Sequence, residues 1–159
     1  MSDDTIIFRP IGFVHSPYKE RGDIPHPPKP ADKGPMEIHV LPEFREGLRD
    51  IEGFARVWLI VYIHKHRPTP LRVTTPIDSG EHGVFTTRSP DRPNPIGLSC
   101  GRLVEVNTET GVLRFERLDF IDGTPVLDIK PYLPESDAFP EAVSGWHGEA
   151  RRRQQGPTS

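Results

Sequence analysis

Short runs of alternating apolar and polar residues dominate the chain, the pattern of strands with one buried face. "MEIHVL" (36–41) alternates and predicts a strand. "TIIFRPIGFVHS" (5–16), rich in β-branched and aromatic residues, predicts a first strand interrupted by Pro10. "LSCGRLVEVNTETGVLRFERLDFI" (98–121) holds two alternating runs around "NTETG" and predicts a hairpin. "PVLDIKPYL" (125–133) predicts a last strand, and "RVTTPID" (72–78) and "GVFTTR" (83–88) predict short strands flanking "SGEHG". "ARVWLIVYIHKH" (55–66) is continuously apolar before its basic end, which predicts a strand covered on both faces. One segment carries a helical period: in "PEFREGLRDIEGF" (42–54), Phe44, Leu48 and Ile51 recur at spacings of four and three. Pro42 suits its first turn and Gly53 its end. Residues 134–150 predict coil or one short helix.

Many short strands with turn signals and little helix predict a mostly β domain, a small β-barrel with few short helices and long Pro-rich loops. The 19 prolines among 159 residues reinforce this, since proline interrupts helices. The prolines form no repeat, so they belong to turns and loops. Pro25, Pro27, Pro28 and Pro30 stiffen a long loop over 17–35, and loops of that length in a compact domain are functional or disordered. The predicted organisation is one barrel domain over 1–140 and a C-terminal extension over 141–159, partly disordered, ending in the polar tail "RRRQQGPTS".

The net charge of −3 gives no argument from overall charge for a nucleic-acid partner. Cys100 is the single cysteine, which excludes an internal disulfide and fits a reducing compartment. The acidic N-terminus does not read as a signal peptide, and the longest apolar run, 57–63, is too short to span a membrane. The expectation is a cytoplasmic protein without membrane contact.

The segment Arg88–Pro95 packs two arginines, an aspartate, an asparagine and three prolines between apolar flanks. Arg88 and Arg92 carry guanidinium forks suited to a carboxylate or phosphate. Pro90, Pro93 and Pro95 remove flexibility in advance of binding. Two readings stand: a preorganised binding loop, or a stiff turn whose arginines pair with Asp91 and Asp119. His64 and His66 share one face of a strand end. That spacing suits a metal, a structural histidine or a polar pocket wall; no cysteine cluster or HExxH accompanies it, and no metal site is expected. The "DGTP" turn carries Asp122 beside Asp119 and Asp128. No GxGxxG, P-loop or GxSxG motif is present.

"IGFVHSPYKE", "GVFTTRSPDRPNPIGLS" and "LDFIDGTPVLDIKPYLP", in that order, resemble the TsaA-like, or TrmO, family over Ile7 to Pro134. The resemblance implies a small β-barrel that binds S-adenosyl-L-methionine, forms a homodimer with the cofactor near the subunit interface, and methylates N6 of threonylcarbamoyl-adenosine next to the tRNA anticodon. It assigns cofactor contacts to His26, Pro27, Pro28, His64, Lys65, Arg88, Leu98 and the turn Phe120, Ile121, Asp122, Gly123 and Thr124. Candidate acids or bases are Asp119, Asp122 and His64. Tyr18, Lys19 and Arg92 are the candidates for substrate contact, with Arg21, Lys29 and Lys33 in the same loop as Lys19. Members differ from this chain in the first loop, which reads "PHPPKP" here without a glutamine, and at Lys65, where glutamine is common. Alternative functions are methylation of a small molecule or another nucleic acid, non-catalytic binding of the cofactor, and a metal enzyme using His64, His66 and His82.

Overall fold

The computed structural model describes residues 4–25, 34–68 and 70–156. The chain divides into two compact units, Met1–His66 with Pro95–Tyr132, and Arg67–Asn94 with Leu133–Ser159.

The first unit is a ring of six antiparallel strands: β1 (Gly12–His15), β2 (Glu37–Val40), β3 (Arg56–Tyr62), β6 (Ile96–Asn107), β7 (Val112–Phe115) and β8 (Pro125–Pro131). The ladders run β1-β2-β7-β6-β3-β8 and close into a barrel, which leaves no open sheet edge. Alternation explains its interior. Val14, Ile38, Val40, Val57, Leu59, Val61, Leu113, Phe115 and Val126 all point inward with 2% exposure or less. Met36, Leu118, Phe120 and Ile121 fill the ends of the same core. The β6–β7 turn carries Gly111 at φ 76°, where a Cβ would lie 2.6 Å from the Val40 carbonyl oxygen. Only glycine fits there.

Several sequence expectations change. The first strand begins at Gly12; Ile6, Ile7 and Phe8 are exposed and outside any strand. β3 is buried on one face only, because Trp58 and Ile60 lie half-buried on the outside of the ring and Tyr62 is exposed. The predicted helix over 42–54 is two 3-10 segments, Pro42–Leu48 and Ile51–Gly53. Asp50 between them takes φ 71°, which breaks the helical path.

The second unit holds a hairpin of β4 (Arg72–Thr74) and β5 (Glu81–Gly83), with helices α1 (Pro134–Asp137) and α2 (Gly145–Gln155). The strand expected at "GVFTTR" lies earlier, at Glu81–Gly83, and Val84–Thr86 forms a 3-10 turn. The Asp78 carboxylate organises the hairpin. It accepts from the Gly80 N–H at 2.9 Å and from Thr75 Oγ1 at 3.3 Å, and it contacts His82 Nε2 at 2.9 Å. These bonds, the Gly80 N–H first, hold Asp78 below the usual carboxylate range. His82 stacks on Trp146 of α2 at 3.8 Å, and Gln154 donates to the Ile77 carbonyl at 2.7 Å. That anchorage explains why "RRRQQ" is helical rather than part of a disordered tail. The segment's arginine-rich composition gave no sign of these partners.

Candidate functional site

A cluster of polar contacts among the described residues joins the end of β1 to the loop before β8. Ser16 follows Val14 on the inward face of the strand path, so a hydroxyl stands where the pattern calls for an apolar residue. It is buried, with 4% exposure. Its Oγ donates to the Phe120 carbonyl at 2.7 Å and accepts from the Tyr18 N–H at 3.2 Å. Its own N–H donates to Asp122 Oδ1 at 3.1 Å. The Asp122 N–H donates to the Tyr18 carbonyl, and the Gly123 N–H to the Val14 carbonyl. The turn 120–124 is thereby stitched to residues 14–18 through both backbone and side chains. Thr124, also buried, closes the turn by donating Oγ1 to the Ile121 carbonyl at 2.7 Å.

The stitched turn presents Asp122 at its surface. Oδ2 of Asp122 lies 2.9 Å from Lys19 Nζ. The Lys19 hydrogen bond is the main cause that holds Asp122 below the usual carboxylate range, and the Ser16 N–H adds to it. Asp122 is therefore ionised at neutral pH and a weak base. Lys65, just beyond β3, reaches the same loop: its Nζ donates to the Lys19 carbonyl at 3.1 Å and to Glu20 Oε1 at 2.9 Å. Next to it, half-buried His64 brings Nε2 to within 3.9 Å of a Cβ position on Gly123. The other ring nitrogen, Nδ1, is buried without a hydrogen-bond partner among the described residues. Burial first, and the Lys65 charge second, hold His64 below the ordinary histidine pKa. At neutral pH it is an uncharged imidazole with one nitrogen available to accept a proton.

A buried polar atom without a partner among the described residues is costly. Asp122 and Gly123 are the accessible residues of the turn, whereas Phe120 and Ile121, 5% exposed each, offer only backbone. Gly123 has φ 82°, so Gly123→Ala should destabilise the chain by about 1 kcal/mol. Thermal denaturation should read this as a fall of about 2–4 °C.

Comparison with known proteins shows the family of the chain. Residues 13–138 match the model of the tRNA-methyltransferase O N-terminal domain. The chain belongs to that TrmO family. It is 46% identical over 141 residues to a probable S-adenosyl-L-methionine-binding protein of Pyrococcus abyssi, covering 89% of this chain and 76% of the relative. It is 36% identical over 148 residues to the tRNA (adenine(37)-N6)-methyltransferase of Escherichia coli, covering 87% and 63%. A crystal structure of TrmO from Pseudomonas aeruginosa superposes with a TM-score of 0.73 at 38% identity, covering 89% of this chain and 62% of that one. The chain thus spans less than two thirds of the TrmO chain it superposes on.

Within this TrmO-family chain, the residues expected from sequence fall into distinct places. His64, Lys65, Lys19 and the turn 120–124 come together as described. Tyr18 does not serve as an exposed stacking platform: it is 8% exposed and belongs to the core. Asp119 is exposed and lines a different cleft, with Arg56, Ser99, Cys100, Arg102, Glu116 and Arg117. Leu98 is half-exposed on β6, opposite Ile60. In the second unit, Arg92 Nη1 donates to the carbonyls of Thr87 at 2.9 Å and Ser89 at 3.2 Å. Arg92 is therefore a staple of its own loop. Asp91 Oδ1 accepts from the Arg67 N–H at 2.7 Å. Arg88 is exposed and makes no hydrogen bond or ion pair among the described residues. His26, Pro27 and Pro28 lie outside the described residues, as do Lys29 and Lys33. No group of three or more His, Cys, Asp or Glu side chains able to hold a metal occurs among the described residues. Cys100 is free, and among the described residues no helix is long and apolar enough to cross a membrane. Ser16 escaped the sequence reading; its one signal was a polar residue at an inward position.

Proposed function

We propose that this chain binds S-adenosyl-L-methionine at the His64–Asp122 site and transfers its methyl group to N6 of threonylcarbamoyl-adenosine next to the tRNA anticodon. The observation that carries the reading is the buried, unpartnered Nδ1 of an uncharged His64 beside a turn braced by Ser16 and presenting an ionised Asp122. The residues fit the cofactor: Asp122 suits a cationic or hydroxyl group, and the open turn at Gly123 allows close approach. When bound, the sulfonium supplies an already activated methyl group, so the protein needs no covalent nucleophile.

The chain's own residues position the acceptor and receive a proton. N6 in a urea-like group is a poor nucleophile, and a base that takes its proton helps. His64 is that base in our reading. Its lowered pKa keeps it uncharged at neutral pH, whereas Asp122 is tied to Lys19 and Ser16 and is the weaker acceptor. Asp122 and Lys65 hold the walls in place. Holding the reacting groups in line accounts for several kcal/mol of barrier lowering, within the roughly 7–11 kcal/mol that orientation can supply. The family resemblance, and not the geometry of the site, assigns Arg88 to the carboxylate of the cofactor. Its replacement by Ala should weaken S-adenosyl-L-methionine binding about tenfold to a hundredfold, the worth of a hydrogen-bonded charge pair. Calorimetry measures this, and an unchanged dissociation constant would remove Arg88 from the site. We further infer a cytoplasmic homodimer.

The test is transfer of labelled methyl to tRNA with and without the threonylcarbamoyl group. Transfer only to the modified tRNA supports the reading. The name of the Pyrococcus relative, an S-adenosyl-L-methionine-binding protein, favours a second reading of binding without transfer to RNA. That reading gains if the cofactor binds and no tRNA is labelled.

A further inference from the structure

We propose that the cleft between β3, β6 and residues 116–119 is a docking site for an RNA phosphodiester. This rests on the RNA substrate proposed above and names a surface for it away from the His64–Asp122 turn. Arg56 and Arg102 are directly opposed across the β3–β6 ladder. Like charges placed so destabilise a sheet pair. Arg117 forms the third basic wall of the same cleft, which has a volume of about 170 Å³.

The arginines are held in place. Arg56 Nη1 donates to the Cys100 carbonyl at 3.1 Å. Arg102 and Arg117 approach Glu116 at 3.5 and 4.0 Å. Both are half-exposed, 59% and 49%, so their forks remain reachable from solvent. The acidic walls are Glu116 and Asp119, so the lining carries three guanidinium groups and two carboxylates. A phosphodiester carries one negative charge and accepts the bidentate geometry that arginine offers. The local excess stands out in a chain of net charge −3, whose overall field repels nucleic acid. Binding to RNA then needs a local basic surface of this kind.

The experiment is tRNA binding by the full chain, read by fluorescence anisotropy from 50 to 300 mM salt, for the wild type and for Arg102→Ala/Arg117→Ala. A second double variant, Arg72→Ala/Arg153→Ala, removes the same charge from two other exposed positions. Each lost phosphate contact should make the slope of log K against log salt shallower by about 0.7–0.9. The cleft variant should lose about 0.7–0.9 units of slope, the share of one phosphate, and about tenfold in affinity, with S-adenosyl-L-methionine binding and melting temperature unchanged. The control variant should change little. Equal slopes for the cleft variant and the wild type would overturn the cleft assignment while leaving the RNA substrate standing. A wild type that binds no tRNA at low salt would overturn the RNA substrate itself.

Discussion

His64→Ala is expected to lower the methyl-transfer rate about 10²–10⁴-fold, the usual contribution of a positioned base, while the protein stays folded. The fold should tolerate the change because the lost ring carries a buried nitrogen that no group among the described residues satisfies. A pH series separates this role from a merely structural one. Burial and Lys65 hold the His64 pKa below its ordinary value, so the folded state disfavours the protonated ring. Wild-type kcat/KM should be flat above the ordinary histidine value and fall at lower pH, as the base is protonated. The linked stability has the same sign: His64's contribution is present above its unfolded pKa and lost as pH falls through the folded one. In His64→Ala the acid limb attributed to this ring should vanish. A variant that keeps the limb would move the base to another group.

Ser16→Ala should have the largest effect on stability near the site. Removing Oγ strips the Phe120 carbonyl of its 2.7 Å donor and the Tyr18 N–H of its 3.2 Å acceptor, both in buried surroundings. Leaving a buried polar group unsatisfied costs about 1–3 kcal/mol. Two such groups should lower the melting temperature by several degrees, at about 2–4 °C per kcal/mol for a chain of this size. The turn 120–124 would lose its main side-chain brace, so affinity for S-adenosyl-L-methionine should fall as well. Thermal denaturation and calorimetry on one preparation test both halves. Loss of stability with unchanged cofactor affinity would show that the brace serves the ring and not the site.

The strands of the ring were legible wherever one face meets the core and the other meets solvent. Glu37–Val40 and the β6–β7 hairpin follow directly from period-two alternation and from "NTETG". β3 misled because the outside of a small ring can carry Trp58 and Ile60 half-buried, so a continuous apolar run does not imply cover on both faces. The 42–54 segment has the spacing of a helix, but Asp50 takes a left-handed backbone conformation there, which no periodicity reveals. Of the site, the turn at Asp122-Gly123 and the histidine after β3 were visible as residue types in unusual company. Their meeting was not, since it depends on ring closure and on Ser16, whose partners lie 104 and 106 residues away. Arg92 carries a contact that its sequence did not announce: one nitrogen of a guanidinium that suits an anion bonds two carbonyls of its own loop.

The account stands most directly on where the methyl donor sits, and a crystal structure of the chain with S-adenosyl-homocysteine measures that. We expect density against Asp122 and Gly123, with a polar ligand atom within hydrogen-bond distance of His64 Nδ1. Ligand density elsewhere, with Nδ1 still unpartnered and the 120–124 turn untouched, would contradict it.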